Sequence, residues 1–471
     1  MPGALAGSPP PGRGRHPVRV AVAVGVVVAA WAVLALPARA TWGARTTADE
    51  PQYLLSALSL GEDGDLTIGD ELAARRYAPF HEVLLPPQTQ VLPDGREVSP
   101  HDPLLPALLA APMGLGGWAA AKGTLAVLGG VLSALLVWTA HRRFAVPLGV
   151  AAVTVLAFGV TPPLTAYATQ VYPELPAAVA VTVAIATLAG RRRPADLAGF
   201  AGATVALPWL GVKYVPVAGA LVAVAVWLLV GERRRRAAAA LVAGLAVAGL
   251  AYLVVHRIVY GGWTVYAAGD HFSGGELTVM GDRPDRLGRS RRLTGLLLDR
   301  GFGLAAWMPG YLLAVPALAV VVRRRPPGWS LLLAPLAAGW ATATWVALTM
   351  HGWWWPGRQV VVAAPCLVLA VAWWAGRARA VRPLVAAAGA WGAAMWVWLV
   401  VEVLRRQRTL VVDFEGTRDP LYRAWHASLP DYRTPHLRDW VAQAVWLAVL
   451  GGAVLVALRW PRRSPSPGRP H

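Results

Sequence analysis

Apolar tracts close to twenty residues long recur along the chain, and short polar segments separate them. A helix needs about 20 such residues to cross the hydrocarbon core of a bilayer, whereas the strands of a membrane barrel alternate over about ten. The pattern predicts an all-α, polytopic membrane protein of about twelve transmembrane helices. They fall at about 18–36, 118–140, 145–161, 175–190, 195–211, 214–230, 237–258, 304–322, 329–350, 360–376, 383–403 and 439–459. The apolar region from Pro103 to Ala140 is too long for one crossing and too short for two. His141-Arg142-Arg143 belongs inside, so one crossing fits there and Leu104–Pro112 becomes a re-entrant or interfacial piece.

The first tract resembles a secretory signal, with a small-x-small cleavage site at Ala38-Arg39-Ala40. Its apolar core exceeds the roughly 7–15 residues of a signal, which favours a retained signal-anchor. In either case the loop 41–102 is exported; it is polar and acidic. Within it, Tyr53 to Leu60 reads as an amphipathic stretch lying along the membrane surface. Residues 1–17 and the tail 461–471 read as disordered cytosolic ends. Between them the chain divides into a membrane module at 18–260, which contains the exported loop, and a C-terminal membrane module at 261–460.

Charge refines this picture. Only 15% of residues are charged, against about a quarter in soluble domains. A net charge of +19 raises the question of nucleic acid, but the arginines gather between tracts, as at Arg191–Arg193, Arg233–Arg236 and Arg323–Arg325. That placement is what the positive-inside rule produces. No nucleic-acid-binding motif accompanies it, so nucleic acid is not an expected partner. The expected location is the cell membrane, with both termini cytoplasmic. Of 25 Asp and Glu, only Asp196 and Glu232 fall on the cytosolic side. Two outer loops, Arg283–Arg300 and Arg405–Arg438, depart from the rule by carrying many arginines. The one cysteine, Cys366, lies inside a tract, so no internal disulfide forms.

Candidate chemistry sits in the exported segments. Asp49 and Glu50 are adjacent carboxylates just past a membrane exit. A carboxylate there suits deprotonation of a hydroxyl or the holding of a metal ion, with Asp49 the candidate ligand. The same residues also suit helix capping, with Asp49 as N-cap and Glu50-Pro51 in the first turn. No phosphate loop, nucleophile elbow, dinucleotide fingerprint or zinc spacing is present. No cofactor is required by the sequence, while a divalent cation stays open.

An Asp-Glu pair in the first exported loop of a many-span scaffold resembles the GT-C superfamily of membrane glycosyltransferases. Within it the chain is similar to protein O-mannosyltransferases and lipid A aminoarabinose transferases. Shorter similarities lie at Ser99-Pro100-His101-Asp102-Pro103-Leu104, Gln170-Val171-Tyr172-Pro173-Glu174, Gly301-Phe302-Gly303-Leu304 leading to Pro309, and Gly352 to Arg358. The resemblance implies inverting transfer of a sugar from a polyprenyl-phosphate carrier to an acceptor on the extracytoplasmic face. It makes Asp49 the catalytic carboxylate and Glu50 its companion, supporting local structure or a metal.

A leaving lipid phosphate calls for cations. Lys213, one of two lysines beside 42 arginines, stands at the turn between two predicted spans; snorkelling or a salt bridge would equally account for it. Arg358 follows a tryptophan run and has the planar fork that suits phosphate. That run also suits an aromatic-belt anchor. His101, Asp102, Gln170, Tyr172, Glu174 and His351 are the candidate substrate contacts, and Glu174 alternatively serves a helix N-terminus. The short segment Arg405–Arg438 leaves no exported domain to grip a protein, so a lipid or glycan acceptor is favoured. A multi-pass transporter or lipid flippase is the alternative, but no internal repeat is visible and the acidic residues lie in loops rather than at the midplane.

Overall fold

The computed structural model describes residues 16–459, apart from positions 271, 273, 274, 278, 279 and 282. The expectations for residues 1–15 and for the tail 461–471 lie outside the described residues. The described chain is all-helical, and pairing between extended segments is confined to isolated bridges such as Thr67 with Val98 and Val91 with Glu97.

Each predicted tract holds a helix, but their lengths differ. Seven are long and apolar enough to cross a membrane by length and composition, among them His16–Val33, Leu104–Phe144, Val381–Leu404 and Leu437–Arg459. Others are shorter: Leu148–Gly159 has 12 residues, about 18 Å at 1.5 Å per residue. The tract at 304–322 is broken into Leu304–Trp307, a 3-10 turn at Pro309–Leu313 and Ala314–Arg324. The tract at 329–350 stays α-helical only to Ala341 and then loosens into a π turn at Thr342–Val346. The π turn falls where the chain walls the cavity described below.

One expectation for the first loop is met and one is corrected. Leu104–Pro112 is set apart from the span: Leu104–Phe144 is two helical segments joined across a kink at Gly116 and Gly117. Gly117 adopts φ +61 and ψ −156, a conformation open essentially to glycine alone. The expectation that is corrected is the other one, because Tyr53–Leu60 does not lie on a membrane surface. It belongs to the helix Glu50–Glu62, in which every residue from Glu50 to Ser59 is buried. Buried on all sides, it is an interior helix, and it packs against the kinked helix Leu104–Phe144.

The first helix lies along the same kinked helix at very short range. A Cβ on Gly25 would meet the Gly130 carbonyl oxygen at 2.6 Å, and one on Gly130 would meet that of Gly25 at 2.5 Å. Small residues let two membrane helices approach backbone to backbone. The main apolar core draws on residues from Ala21 to Ala457. A smaller cluster, Leu92, Val98, Tyr260, Val265 and Ala268, pins the first loop to the end of the helix Arg235–Tyr260.

Candidate active site

Asp49 stands at the N-cap position of the buried helix, yet its side chain caps nothing. The capping expectation fails because the carboxylate turns to Arg358 instead: Arg358 Nη2 donates to Asp49 Oδ2 at 2.5 Å. Local backbone geometry aims both partners. Ala48, just before Asp49, sits at φ +49, and Gly357, just before Arg358, at φ +83. For an alanine the left-handed region costs roughly 1–2 kcal/mol, so the surrounding packing must enforce it.

Arg358 reaches a second carboxylate, its Nε donating to Glu174 Oε1 at 2.9 Å. Lys213 Nζ donates to the same oxygen at 2.6 Å. Tyr172 and Trp354 hold the guanidinium between their rings, with centroids 4.2 and 4.9 Å away. His101 completes the group: its Nε2 lies 3.7 Å from Asp49 Oδ2, its Nδ1 2.8 Å from Ser99 Oγ, and its ring 4.4 Å from that of Tyr53. Burial opposes ionisation of Asp49, but the Arg358 and His101 charges and hydrogen bonds outweigh it and hold the carboxyl well below the usual carboxylate range.

Glu50 has a different environment. Its Oε1 accepts from Thr47 N at 3.2 Å and its Oε2 from Val171 N at 2.9 Å. Lys122 Nζ lies 3.5 Å from Oε2 and donates to the Arg45 carbonyl at 2.8 Å. Burial pushes the Glu50 carboxyl up despite Lys122 and the two backbone donors. Glu50 therefore clamps the Asp49 turn to the Val171 segment and faces no open space. Lys122, within a predicted span, was not among the sequence candidates. The default that an ionisable residue inside a span has a function would have found it.

Asp49, His101, Asp102, Lys213 and Arg358 line one cavity of about 430 Å3. Leu210, Val217, Gly339, Ala343, Val346 and Val362 give it an apolar wall, and Glu276 and Gln359 also line it. Asp102 is fully engaged at the rim: Oδ2 accepts from Val212 N at 2.9 Å, and Oδ1 lies 2.9 Å from Tyr252 Oη and 3.0 Å from His256 Nε2. It fastens the Lys213 turn to the helix Arg235–Tyr260. Gln170 and Tyr172 are buried behind the cavity, with both amide atoms of Gln170 lacking a partner. His351 lies elsewhere, in a neighbouring arginine-lined pocket. The tryptophan run divides: Trp353 is exposed, Trp354 lines the cavity, and Trp355 is buried against Trp307 and Trp396.

A metal does not fit at Asp49 as it is arranged. Its neighbours are a guanidinium and an imidazole, and it joins no trio of potential ligands among the described residues. The acidic trio that does come together, Asp63, Asp70 and Glu71, lies outside the cavity lining. A larger cavity of about 610 Å3 beside Trp31 and Trp398 holds one carboxylate, Glu402. That group is already engaged by Thr417, Arg418 and Trp398.

Neither the protein-family models nor the curated proteins provide a match. Among solved structures, the chain aligns with ArnT from Cupriavidus metallidurans bound to undecaprenyl phosphate over 94% of its length and 77% of that chain. The TM-score is 0.50 and the identity 14%. The chain shares the fold of that structure. In this fold the ion-paired cavity lies between the first loop and the span helices. It draws on Asp49 near one end of the chain and Arg358 far along it.

Proposed function

We propose that the protein transfers a sugar from a polyprenyl-phosphate donor to a lipid or glycan acceptor at the extracytoplasmic face, with inversion. The observation that carries this reading is the division of the 430 Å3 cavity: charged at one end by Asp49, Lys213 and Arg358, apolar at the other. A polyprenyl phosphate has the same two-part character. Its phosphate suits the cations, and its first isoprene units suit the walls of Val217, Val346 and Val362. The solved relative in fold was captured with undecaprenyl phosphate, which agrees with this ligand class.

Without donor, Arg358 and Lys213 are neutralised by Asp49 and Glu174. An entering phosphate competes for both cations. As Arg358 turns toward it, Asp49 loses its strongest partner and becomes a better base. Asp49 then takes the proton of the acceptor hydroxyl while that oxygen attacks the anomeric carbon. The bond from that carbon to the phosphate oxygen breaks, and Lys213 and Arg358 stabilise the charge on the departing polyprenyl phosphate. A single displacement inverts the anomeric centre. Retention would need a second free carboxylate in the cavity, but of the others that line it Glu276 is tied to the Trp263 and Thr264 backbone and Asp102 to Val212, Tyr252 and His256.

The test is release of polyprenyl phosphate by purified protein offered a panel of polyprenyl-phosphate sugars and acceptors. Wild type should turn over at least one donor. Asp49→Asn should lose the activity while its melting temperature is retained. Equal rates for the two would remove Asp49 from the chemistry. Donor movement across vesicles without sugar transfer would instead support the transporter reading.

A further inference from the structure

Asp63, Asp70 and Glu71 bring one carboxylate oxygen each to within 4.8 Å of one another. Asp63 is the C-cap of the helix Glu50–Glu62, whose other end carries Asp49. Asp70 and Glu71 lie in the first turn of the short helix Gly69–Ala73. Between the two helices the chain turns at Gly64, at φ +79, and is then held in place. Ser59 Oγ donates to the Thr67 carbonyl at 2.8 Å, and Ile68 N to the Glu97 carbonyl at 2.8 Å.

Asp63 and Asp70 are exposed, and exposed carboxylates alone ask for nothing but water. Glu71 is the observation that points to a ligand. It is only 3% exposed, and its Oε2 is buried without a hydrogen-bond partner, although the carboxylate is aimed at the two aspartates. No cation among the described residues pairs with any of the three, and Arg76, close by in sequence, is held by Glu62. A buried carboxylate without a counter-charge is costly, and two like charges beside it add to the cost. Burial first, then the closeness of Asp70, push the Glu71 carboxyl up to about 7. A proton shared with Asp70 would relieve one of these charges; a divalent cation among the oxygens relieves all three.

The donor set selects the ion. All three donors are carboxylate oxygens, which suit a hard cation rather than zinc or copper. Oxygens this close need little movement to stand at about 2.3–2.6 Å from one centre, the calcium distance, with water completing the shell. We propose that Asp63, Asp70 and Glu71 bind a calcium ion that fastens the far end of the Asp49 helix to the helix Gly69–Ala73. None of the three lines the cavity of Asp49, so the ion is structural and the proposal does not rest on the transferase reading.

The experiment uses the full-length protein, stripped with a chelator, in phosphatidylcholine nanodiscs buffered above the Glu71 range, and titrates calcium chloride by calorimetry. Wild type should bind one calcium per chain with a Kd of about 10⁻⁴–10⁻³ M, the range of weak extracellular sites, and calcium should raise its melting temperature. E71Q keeps the size of the side chain, and D63N/D70N changes exposed positions that should leave folding intact. Each should bind roughly tenfold or more weakly, because each removes ligand charge, and neither should gain melting temperature from calcium. Wild-type affinity in either variant would overturn the site. Failure of wild type to bind saturably, with a melting temperature that calcium leaves unchanged, would overturn it in favour of a proton shared by Glu71 and Asp70. Magnesium chloride in place of calcium should bind more weakly, and equal or tighter binding would overturn the choice of calcium.

Discussion

Arg358 and Asp49 are 309 positions apart in the chain and 2.5 Å apart in space. This contact closes the cavity into one electrostatic unit, because the same guanidinium also holds Glu174, which in turn holds Lys213. The strongest charges in an apolar molecule are thereby cancelled against one another until something anionic arrives to compete.

Arg358→Gln tests the coupling between the two residues. Arg358 and His101 keep the Asp49 carboxyl low against the opposing effect of burial. With the guanidinium gone, burial dominates and the Asp49 pKa rises. Asp49 must be ionised to act as base, so activity is present above its pKa and lost as pH falls through it. The acid limb of the kcat profile at saturating donor should move to higher pH, each unit reflecting about 1.4 kcal/mol. An unmoved limb would uncouple Arg358 from the base.

Lys213→Gln should weaken donor binding more than catalysis by bound donor. A hydrogen bond to a charged group contributes about 1.5–3 kcal/mol, so the donor KM should rise about tenfold to a hundredfold. A change confined to kcat would instead assign Lys213 to the chemical step.

Lys122→Met should destabilise the fold by about 3–5 kcal/mol, the usual cost of stranding one partner of a buried pair. The loss depends on pH with a definite sign. The Glu50 carboxyl is already raised by burial, and a raised carboxyl favours the fold when protonated. Its contribution is complete below the ordinary glutamate range and is lost as pH rises through the folded-state pKa. Without Lys122 that pKa climbs further. Melting curves should therefore show a larger deficit at neutral pH than near pH 4 to 5, about the unperturbed glutamate range. A deficit independent of pH would show that packing, not charge, is what Lys122 supplies.

Asp102→Ala should lower both melting temperature and kcat. It strands Val212 N, Tyr252 Oη and His256, and each buried group left without a partner costs about 1–3 kcal/mol. Tyr252→Phe, which removes one hydroxyl and leaves the carboxylate two partners, should be milder in both measurements. Equal effects would mean that Asp102 acts on the substrate itself.

Much of this was legible in the sequence. The helical tracts followed from hydrophobicity, and Asp49, Lys213 and Arg358 stood out because ionisable residues are scarce in such a chain. Which charges pair could not be read, because Glu174, Lys213 and Arg358 meet only through tertiary packing. His351 was grouped with the cavity on its closeness in sequence to Arg358, but the turn through Trp353–Trp355 carries it to the next pocket. The helix Glu50–Glu62 was misplaced for a related reason. A short run of mixed apolar and polar residues looks the same whether it faces lipid or protein, and only the packing of Leu104–Phe144 over it decides.

The contact between Gly25 and Gly130 bears on how the chain is assembled. The first helix emerges during synthesis long before the segment that carries Gly130, and the loop holding Asp49 passes across between them. The first helix must therefore wait in the bilayer for a partner not yet made. Once the two backbones touch, Ala38 and Ala40 at its exit are buried and out of reach of a processing protease. Assembly of this protein is then a matter of docking order, in which the first helix made becomes one of the walls.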